Sequence, residues 1–110
     1  MVGESVPVIE VGAVPEGGFL LDVREPGEWA AGHAPGALHI PLGALAQRAG
    51  EVPQDRQVYV VCRVGGRSAQ AVAALNEAGW NTVNVAGGMQ AWALSGRPLE
   101  ADGGAEPQIA

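Results

Sequence analysis

The residues best suited to chemistry in this 110-residue sequence are Cys62 and the two arginines that follow it, Arg63 and Arg67. They lie in residues 62–68, between the apolar run 58–61 and a segment whose apolar residues have helical spacing. Cys62 is the only cysteine of the chain, so it has no internal disulfide partner. A thiol placed just before a helix N-terminus faces free backbone N–H groups, which favour a thiolate or a bound anion. We therefore expect the function to reside in residues 62–68.

The glycines of this loop define the environment of the thiol. Because they lack a Cβ atom, Gly65 and Gly66 can adopt positive φ values, and the N–H groups of residues 64–68 can then converge as an anion-binding nest. Nearby cations and a helix N-terminus lower a thiol pKa from about 8.5 to about 3.5–7.5, which makes Cys62 a candidate nucleophile. The alternative is a small buried hydrophobic residue, the usual state of a free cysteine. The predicted anion-binding residues are Arg63, Val64, Gly65, Gly66, Arg67 and Ser68.

Arg67 lies five positions after Cys62, where a helix is predicted to open. Its planar guanidinium has the geometry to bind two oxygens of a sulfonate, phosphate or arsenate-like group. Two other roles are open for Arg67, a solvated surface side chain and a structural ion pair with a carboxylate. Arg63 is open in a similar way, because a side chain at its position in the loop can point to solvent. We expect Arg67 to bind the anion.

The residues between Cys62 and Arg67 are an arginine, a valine and two glycines, with no Asp, Glu, His or Tyr. Transfer of an oxygen-linked group such as phosphate normally needs a general acid for the leaving group. Sulfur transfer needs less help, because the S–S bond of a persulfide or of thiosulfate is already weak. The loop composition therefore favours sulfur transfer over phosphate hydrolysis.

Composition limits the other classes of function. The net charge of −6 argues against nucleic acid as a partner, although residues 57–76 contain two arginines and no acid. No apolar run approaches the ~20 residues of a membrane span. Residues 1–4 lack the basic and apolar character of a secretory signal, so we expect a cytoplasmic protein. A lone cysteine without metal-ligand partners predicts no zinc site, and we expect no cofactor.

The rest of the chain alternates short apolar runs with helical segments, a pattern typical of a mainly parallel α/β sheet. Cys62 follows one of the runs, at the carboxyl edge where such sheets bind ligands. Residues 4–99 are predicted to form one domain, and residues 100–110, small and acidic, a disordered tail. Strands are predicted at residues 6–9, 19–23, 37–40, 58–61 and 82–85. Helices are predicted to begin at Pro26 and to span residues 42–49, 68–78 and 89–94.

Four segments resemble motifs of the rhodanese family, in the order of a single-domain member and within residues 6–98. Ala34 replaces the more usual isoleucine of one motif, a conservative departure. The segments are the early strand motif LLDVRE at residues 20–25, EWAAGHAPGA at residues 28–37, which resembles E-aromatic-x-x-G-H-I-P-G-A, the active loop CRVGGRS at residues 62–68, and the closing GGMQAW at residues 87–92.

The resemblance implies both a fold and a mechanism. The fold is a rhodanese-like three-layer α/β structure, with a mostly parallel five-stranded sheet flanked by helices. In the mechanism, Cys62 takes a sulfane sulfur from a donor, becomes a persulfide, and passes the sulfur to a nucleophilic acceptor. The loop amides would hold the terminal sulfur, and Arg67 would hold the donor's oxygens or pin the loop. Related phosphatases carry one more residue between Cys and Arg, so the four residues found here match the sulfurtransferase spacing.

Further polar residues are expected to support the structure. Asp22 and Arg24, at the end of a predicted strand, could be catalytic, but a charged pair there more often ties neighbouring loops together. His33 precedes a Pro-Gly turn and is assigned the same supporting role. We expect Trp29 and Trp92 to pack in the core or against helices.

The leading hypothesis is therefore an enzyme, a thiosulfate or persulfide sulfurtransferase acting through Cys62. The main alternative is a non-catalytic persulfide carrier or binding module that serves a partner protein. A phosphatase or arsenate reductase is disfavoured by the loop length and the missing general acid. Expected partners are a small sulfur-containing anion or low-molecular-weight thiol and, as a further candidate, a sulfur-donor or acceptor protein, but neither nucleic acid nor a membrane.

Overall fold

Five strands form one parallel sheet in the computed structural model, which describes residues 6–109. Their order across the sheet is β1-β5-β4-β2-β3, and all four neighbouring pairs run parallel. This confirms the α/β fold and the mainly parallel sheet predicted from the sequence. The strands are β1 (Val8–Ile9), β2 (Phe19–Asp22), β3 (Leu38–His39), β4 (Val58–Val61) and β5 (Thr82–Val85).

Helices cover the sheet and differ from the prediction mainly at their ends. The predicted helix 42–49 is one α-helical turn between two 3-10 turns, Leu42–Ala44 and Ala49–Glu51. The helix after Cys62 begins two residues earlier than predicted, because Gly65 adopts a φ of 126° that ends the loop directly before it. The α-helices are α1 (Pro26–Ala31), α2 (Leu45–Arg48), α3 (Gly66–Glu77) and α4 (Gly88–Leu94).

The core consists of two apolar layers, one on each face of the sheet. Successive side chains of a strand point to opposite faces, so a strand covered on both sides is apolar throughout. Leu21 and Val60 therefore pack in the layer that contains Val72 of α3. Leu20 and Val61 pack in the other layer, which contains Trp92 of α4 and confirms the core position expected for this tryptophan.

The carboxyl edge of the sheet carries the loop that begins at Cys62. The first turn of α4 holds this loop, since the N–H groups of Met89 and Gln90 donate to the carbonyls of Cys62 and Arg63 at 2.8 and 3.0 Å. Gly88 permits this approach because a Cβ atom there would overlap the Cys62 carbonyl oxygen. The Gly-Gly motif thus positions the loop.

Residues 100–109, the predicted tail, contact the domain at two points through their main chain. The main chains of His33 and Glu100 exchange two hydrogen bonds of 2.8 Å, and Gln108 donates to the carbonyl of Ala31 at 2.9 Å. The first residues assigned to the domain, 4 and 5, and residue 110 of the tail lie outside the described residues. Within residues 6–109, no helix is long and apolar enough to cross a membrane.

Candidate active site

The sulfur of Cys62 lies at the end of β4 and is nearly enclosed by its own loop. Cys62 is 1% exposed. The N–H of Gly65 donates to Sγ at 3.1 Å, and the hydroxyl oxygen of Ser68 lies 3.3 Å from Sγ. The loop has therefore folded around the sulfur, with a positive φ at Gly65, whereas Gly66 begins α3.

This environment favours the thiolate. Burial raises the pKa of the Cys62 thiol, but hydrogen bonds from the Ser68 hydroxyl and from the backbone N–H groups of Ser68, Gly65 and Val64 together lower it below its ordinary value. The main stabilisation of negative charge thus comes from amide and hydroxyl dipoles rather than from the two arginines of the loop.

Asn84 belongs to this site although the sequence analysis did not select it. It lies on β5 and is 7% exposed. Its Oδ1 accepts a hydrogen bond from the Ser68 hydroxyl at 2.6 Å, and its Nδ2 donates to the Gly65 carbonyl at 3.1 Å. A polar side chain in the otherwise apolar part of a buried strand was the signal that could have identified it.

Arg67 forms an ion pair with a carboxylate, one of the roles left open for it. Its Nη1 and Nη2 lie 2.7 and 2.9 Å from Oε1 and Oε2 of Glu28, near the start of α1. Glu28 also accepts the N–H of Glu25 at 2.9 Å. The hydrogen bonds from Arg67 outweigh burial and lower the pKa of Glu28 to about 2. The loop is therefore less positive than its own residues indicate, because α1 supplies the compensating charge.

Asp22 and Arg24 form a completely buried ion pair at the end of β2. The Arg24 guanidinium bonds both carboxylate oxygens of Asp22, at 2.7 to 3.1 Å. It also donates to the carbonyls of Glu28 and Gly32 at 3.3 and 2.8 Å. The pair is thus bonded to α1 and to the turn after it.

His33 and Trp29 lie beside this pair. The His33 ring stacks on the Trp29 ring at 3.7 Å between centroids, and its Nδ1 lies 2.7 Å from the Trp29 carbonyl oxygen. His39 stacks on Trp29 as well, at 4.7 Å. Trp29 is therefore packed between two imidazole rings and is half-buried, rather than placed in either apolar layer.

The remaining loop residues form the rim of the site. Val64 is 53% exposed beside the buried sulfur, and the Arg63 side chain is exposed to solvent. A separate cleft of about 370 Å³ lies by the amino end of β2 and is lined in part by Val14, Trp92 and Arg97. Because Cys62 lies at the opposite edge of the sheet, this cleft is distinct from the thiol site.

Among the described residues, the groups that contact Sγ are donors for an anion, and no carboxylic acid is one of them. Sγ is contacted by N–H groups and a hydroxyl. Glu28, with its pKa of about 2, is ionised at neutral pH and cannot protonate a leaving group. These features suit transfer of a group that leaves as a stable anion.

The comparisons with known proteins agree with this chemistry. The model of the rhodanese-like domain matches residues 10–95. The chain belongs to the rhodanese family. It is 44% identical over 87 residues to a sulfurtransferase of Allochromatium vinosum, an alignment that covers 78% of this chain and 81% of the relative.

Two further relatives differ in length and description. A putative sulfur carrier protein of Bacillus subtilis, YrkF, is 40% identical over 74 residues, which cover 66% of this chain and 40% of that protein. The solved structure of a rhodanese-related protein from Thermoplasma volcanium superposes with a TM-score of 0.80 and 34% identity, covering 84% of this chain and 96% of that one. The predicted family and fold are confirmed, and the relatives support sulfur transfer in general.

Proposed function

We propose that this rhodanese-like protein is a sulfurtransferase that moves a sulfane sulfur from thiosulfate or a persulfide to a thiophilic acceptor through a persulfide on Cys62. The observation that carries the proposal is the convergence of donors on Sγ, with the Gly65 N–H at 3.1 Å and the Ser68 hydroxyl oxygen at 3.3 Å. These groups stabilise the thiolate that attacks and the anionic sulfur that results.

The proposed reaction has two displacement steps. The Cys62 thiolate attacks the sulfane sulfur, so that an Sγ–S bond forms while the S–S bond of the donor breaks. The bond pair leaves with sulfite or with the donor's thiolate. In the second step a nucleophile such as cyanide attacks the outer sulfur, and the bond pair returns to Sγ as the thiolate. Neither step requires an oxidant or a general acid.

The acceptor in this proposal is external to the chain. Cys62 is the only cysteine, so no internal thiol can displace the outer sulfur as a disulfide. Val64, two residues after Cys62, is exposed and offers a thiol or another protein a surface on the loop. An enzyme and a persulfide carrier therefore share the first step and differ in how the sulfur is discharged.

The deciding experiment follows the mass of the protein. Incubation with thiosulfate or with hydroxyethyl persulfide should add one sulfur to the wild type and none to C62S. Addition of cyanide should then remove the sulfur and release thiocyanate with many turnovers. Loading by a partner protein alone, with negligible turnover of small donors, would point to the carrier. Uptake of sulfur by C62S would contradict both.

A further inference from the structure

We infer that Glu28 selects the sulfur donor: by occupying Arg67 it disfavours thiosulfate and leaves alkyl or protein persulfides as the preferred donors. The inference rests on the proposed function, since it concerns the donor to Cys62. Its basis is the two-point ion pair between Glu28 and Arg67, with distances of 2.7 and 2.9 Å. The carboxylate of Glu28 occupies the end of the guanidinium that carries Nη1 and Nη2. In the part of the chain that the structure describes, the Nε edge keeps free donors, but the positive charge that would attract a sulfonate is already compensated.

Further contacts hold Glu28 in its position beside Arg67. Its carboxylate also accepts the N–H of Glu25 at 2.9 Å, within a reciprocal capping box that begins α1. The backbone of α1 is held in turn by Arg24, whose Nη1 donates to the Glu28 carbonyl at 3.3 Å. Because Arg24 is completely buried and paired with Asp22, the backbone that carries Glu28 is fixed.

The ion pair of Arg67 and Glu28 is close enough to the Cys62 sulfur for their charges to interact. The pKa of Arg67 is raised first by its hydrogen bonds to Glu28, and further by the charges of Glu28, the Cys62 thiolate and Glu25. A donor that approaches Cys62 therefore meets a guanidinium whose charge is already compensated, with a second carboxylate nearby. Arg63, the other cation of the loop, is exposed, and solvent and salt screen such a charge.

The two donor classes respond differently to this arrangement. Thiosulfate is a dianion, and the sulfite that leaves keeps two charges, so its reaction gains from a free cation beside the leaving group. An alkyl persulfide carries its charge on the sulfur that is transferred, which the loop amides bind. Its S–S bond breaks as the Sγ–S bond forms, and the bond pair leaves on the alkyl sulfur, which takes a proton from water.

The test measures the rate of sulfur loading from thiosulfate and from hydroxyethyl persulfide in the wild type, E28Q and E51Q. Glutamine keeps the size and the acceptor oxygen of Glu28 but removes its charge. Loading of E28Q from thiosulfate should rise about tenfold, while loading from the persulfide changes less than about threefold. E51Q is the matched control, because it removes a charge from the exposed pair with Arg48 and should leave both rates unchanged.

Two further measurements test the inference. E28Q/R67M should lose the gain, since the guanidinium that E28Q uncovers is then missing. In the wild type, added salt should leave thiosulfate loading unchanged or faster, because there is no net attraction to screen. The inference would be overturned if the rate of thiosulfate loading fell steeply with salt, or if E28Q and E51Q had the same ratio of thiosulfate to persulfide rates. Either result would leave the proposed function standing. Loading of C62S, or no loading of the wild type by either donor, would instead refute the proposed function.

Discussion

The hydroxyl oxygen of Ser68 lies 2.6 Å from Oδ1 of Asn84, and the same oxygen lies 3.3 Å from the sulfur of Cys62. A hydroxyl has one proton, so Ser68 can donate to the amide oxygen or to the sulfur but not to both. While Cys62 is a thiol, its S–H can donate to Ser68, and Ser68 can donate to Asn84. Once the thiolate forms, the Ser68 proton stabilises it best by turning to the sulfur. Ionisation of Cys62 is therefore coupled to the rotation of one hydroxyl.

Ser68→Ala should raise the pKa of Cys62, because it removes the side-chain donor to the thiolate. A hydrogen bond to a charged group is worth about 1.5–3 kcal/mol, so the change should be measurable. The measurement is the rate of alkylation by iodoacetamide as a function of pH. Ser95→Ala is the matched control, since that hydroxyl donates to the Trp92 carbonyl at 2.7 Å in α4. An unchanged midpoint in S68A would contradict the role of the hydroxyl.

Asn84→Asp should raise the pKa of Cys62 further than Ser68→Ala does. A carboxylate holds the Ser68 proton more strongly than an amide and places a like charge near the thiolate, so both effects disfavour ionisation. We expect about tenfold slower sulfur loading at neutral pH. Asn81→Asp, at an exposed position, controls for the added charge. Equal pH profiles of alkylation for N84D and N81D would show that Asn84 does not act on the sulfur.

Local patterns predicted the scaffold and the position of the nucleophile. The run that became β4 is apolar because both faces of the sheet are covered, and this is visible in four consecutive residues. The glycines that follow Cys62 indicated a loop able to turn its N–H groups inward, and Gly65 has the positive φ that this requires. These features depend on neighbours in the chain, so the sequence was sufficient.

Contacts between distant segments could not be predicted in this way. Glu28 and Arg67 are 39 positions apart, and their pairing depends on where α1 and α3 begin relative to the sheet. Asn84 reaches Ser68 because β5 lies next to β4, an order that no local pattern gives. Residues 100–109 contact the domain mainly through main-chain hydrogen bonds of Glu100 and Gln108, which composition does not report.

The pair of Glu28 and Arg67 should make stability depend on pH in the acid range. The pKa of Glu28 is about 2 in the folded protein, against an ordinary 4.5, so the unfolded chain binds more protons between these values. The stabilisation is therefore complete above about pH 4.5 and is lost as the pH falls toward 2. Because the carboxylate is partly exposed, we expect about 1–2 kcal/mol. Urea unfolding at neutral pH and at about pH 3 should show that acid lowers the free energy of unfolding less in E28Q than in the wild type. Equal decreases in the two proteins would contradict the pairing.

Arg24→Met should lower the free energy of unfolding by about 3–5 kcal/mol, because it leaves the buried carboxylate of Asp22 without its partner. The double variant D22N/R24M, which leaves no uncompensated charge, should recover part of this loss. Arg48→Met serves as the control, because Arg48 pairs with Glu51 at the surface and little change is expected. Chemical denaturation measures all three, and a double variant no more stable than R24M would contradict the electrostatic explanation.

Gly88→Ala should disturb the active loop from a position outside it. Gly88 has a φ of 52°, and its Cβ would overlap the carbonyl oxygen of Cys62. The first turn of α4 would have to move away, which weakens the 2.8 Å hydrogen bond from Met89 to that carbonyl. We expect a loss of about 2 kcal/mol or more in the free energy of unfolding. Gly43→Ala, where a Cβ meets no atom within 4 Å, is the control.

The same variant should also change the chemistry of the thiol. If α4 fixes the carbonyl of Cys62, its displacement lets the loop relax, and the N–H groups then point less directly at the sulfur. The pKa of Cys62 should therefore rise in G88A, with slower alkylation near neutral pH and slower sulfur loading, while G43A matches the wild type. G88A could instead be destabilised and keep the alkylation profile of the wild type. Residues 62–68 would then hold the anion-binding nest without help from α4, through their own glycines and the hydrogen bond from Asn84 to Gly65.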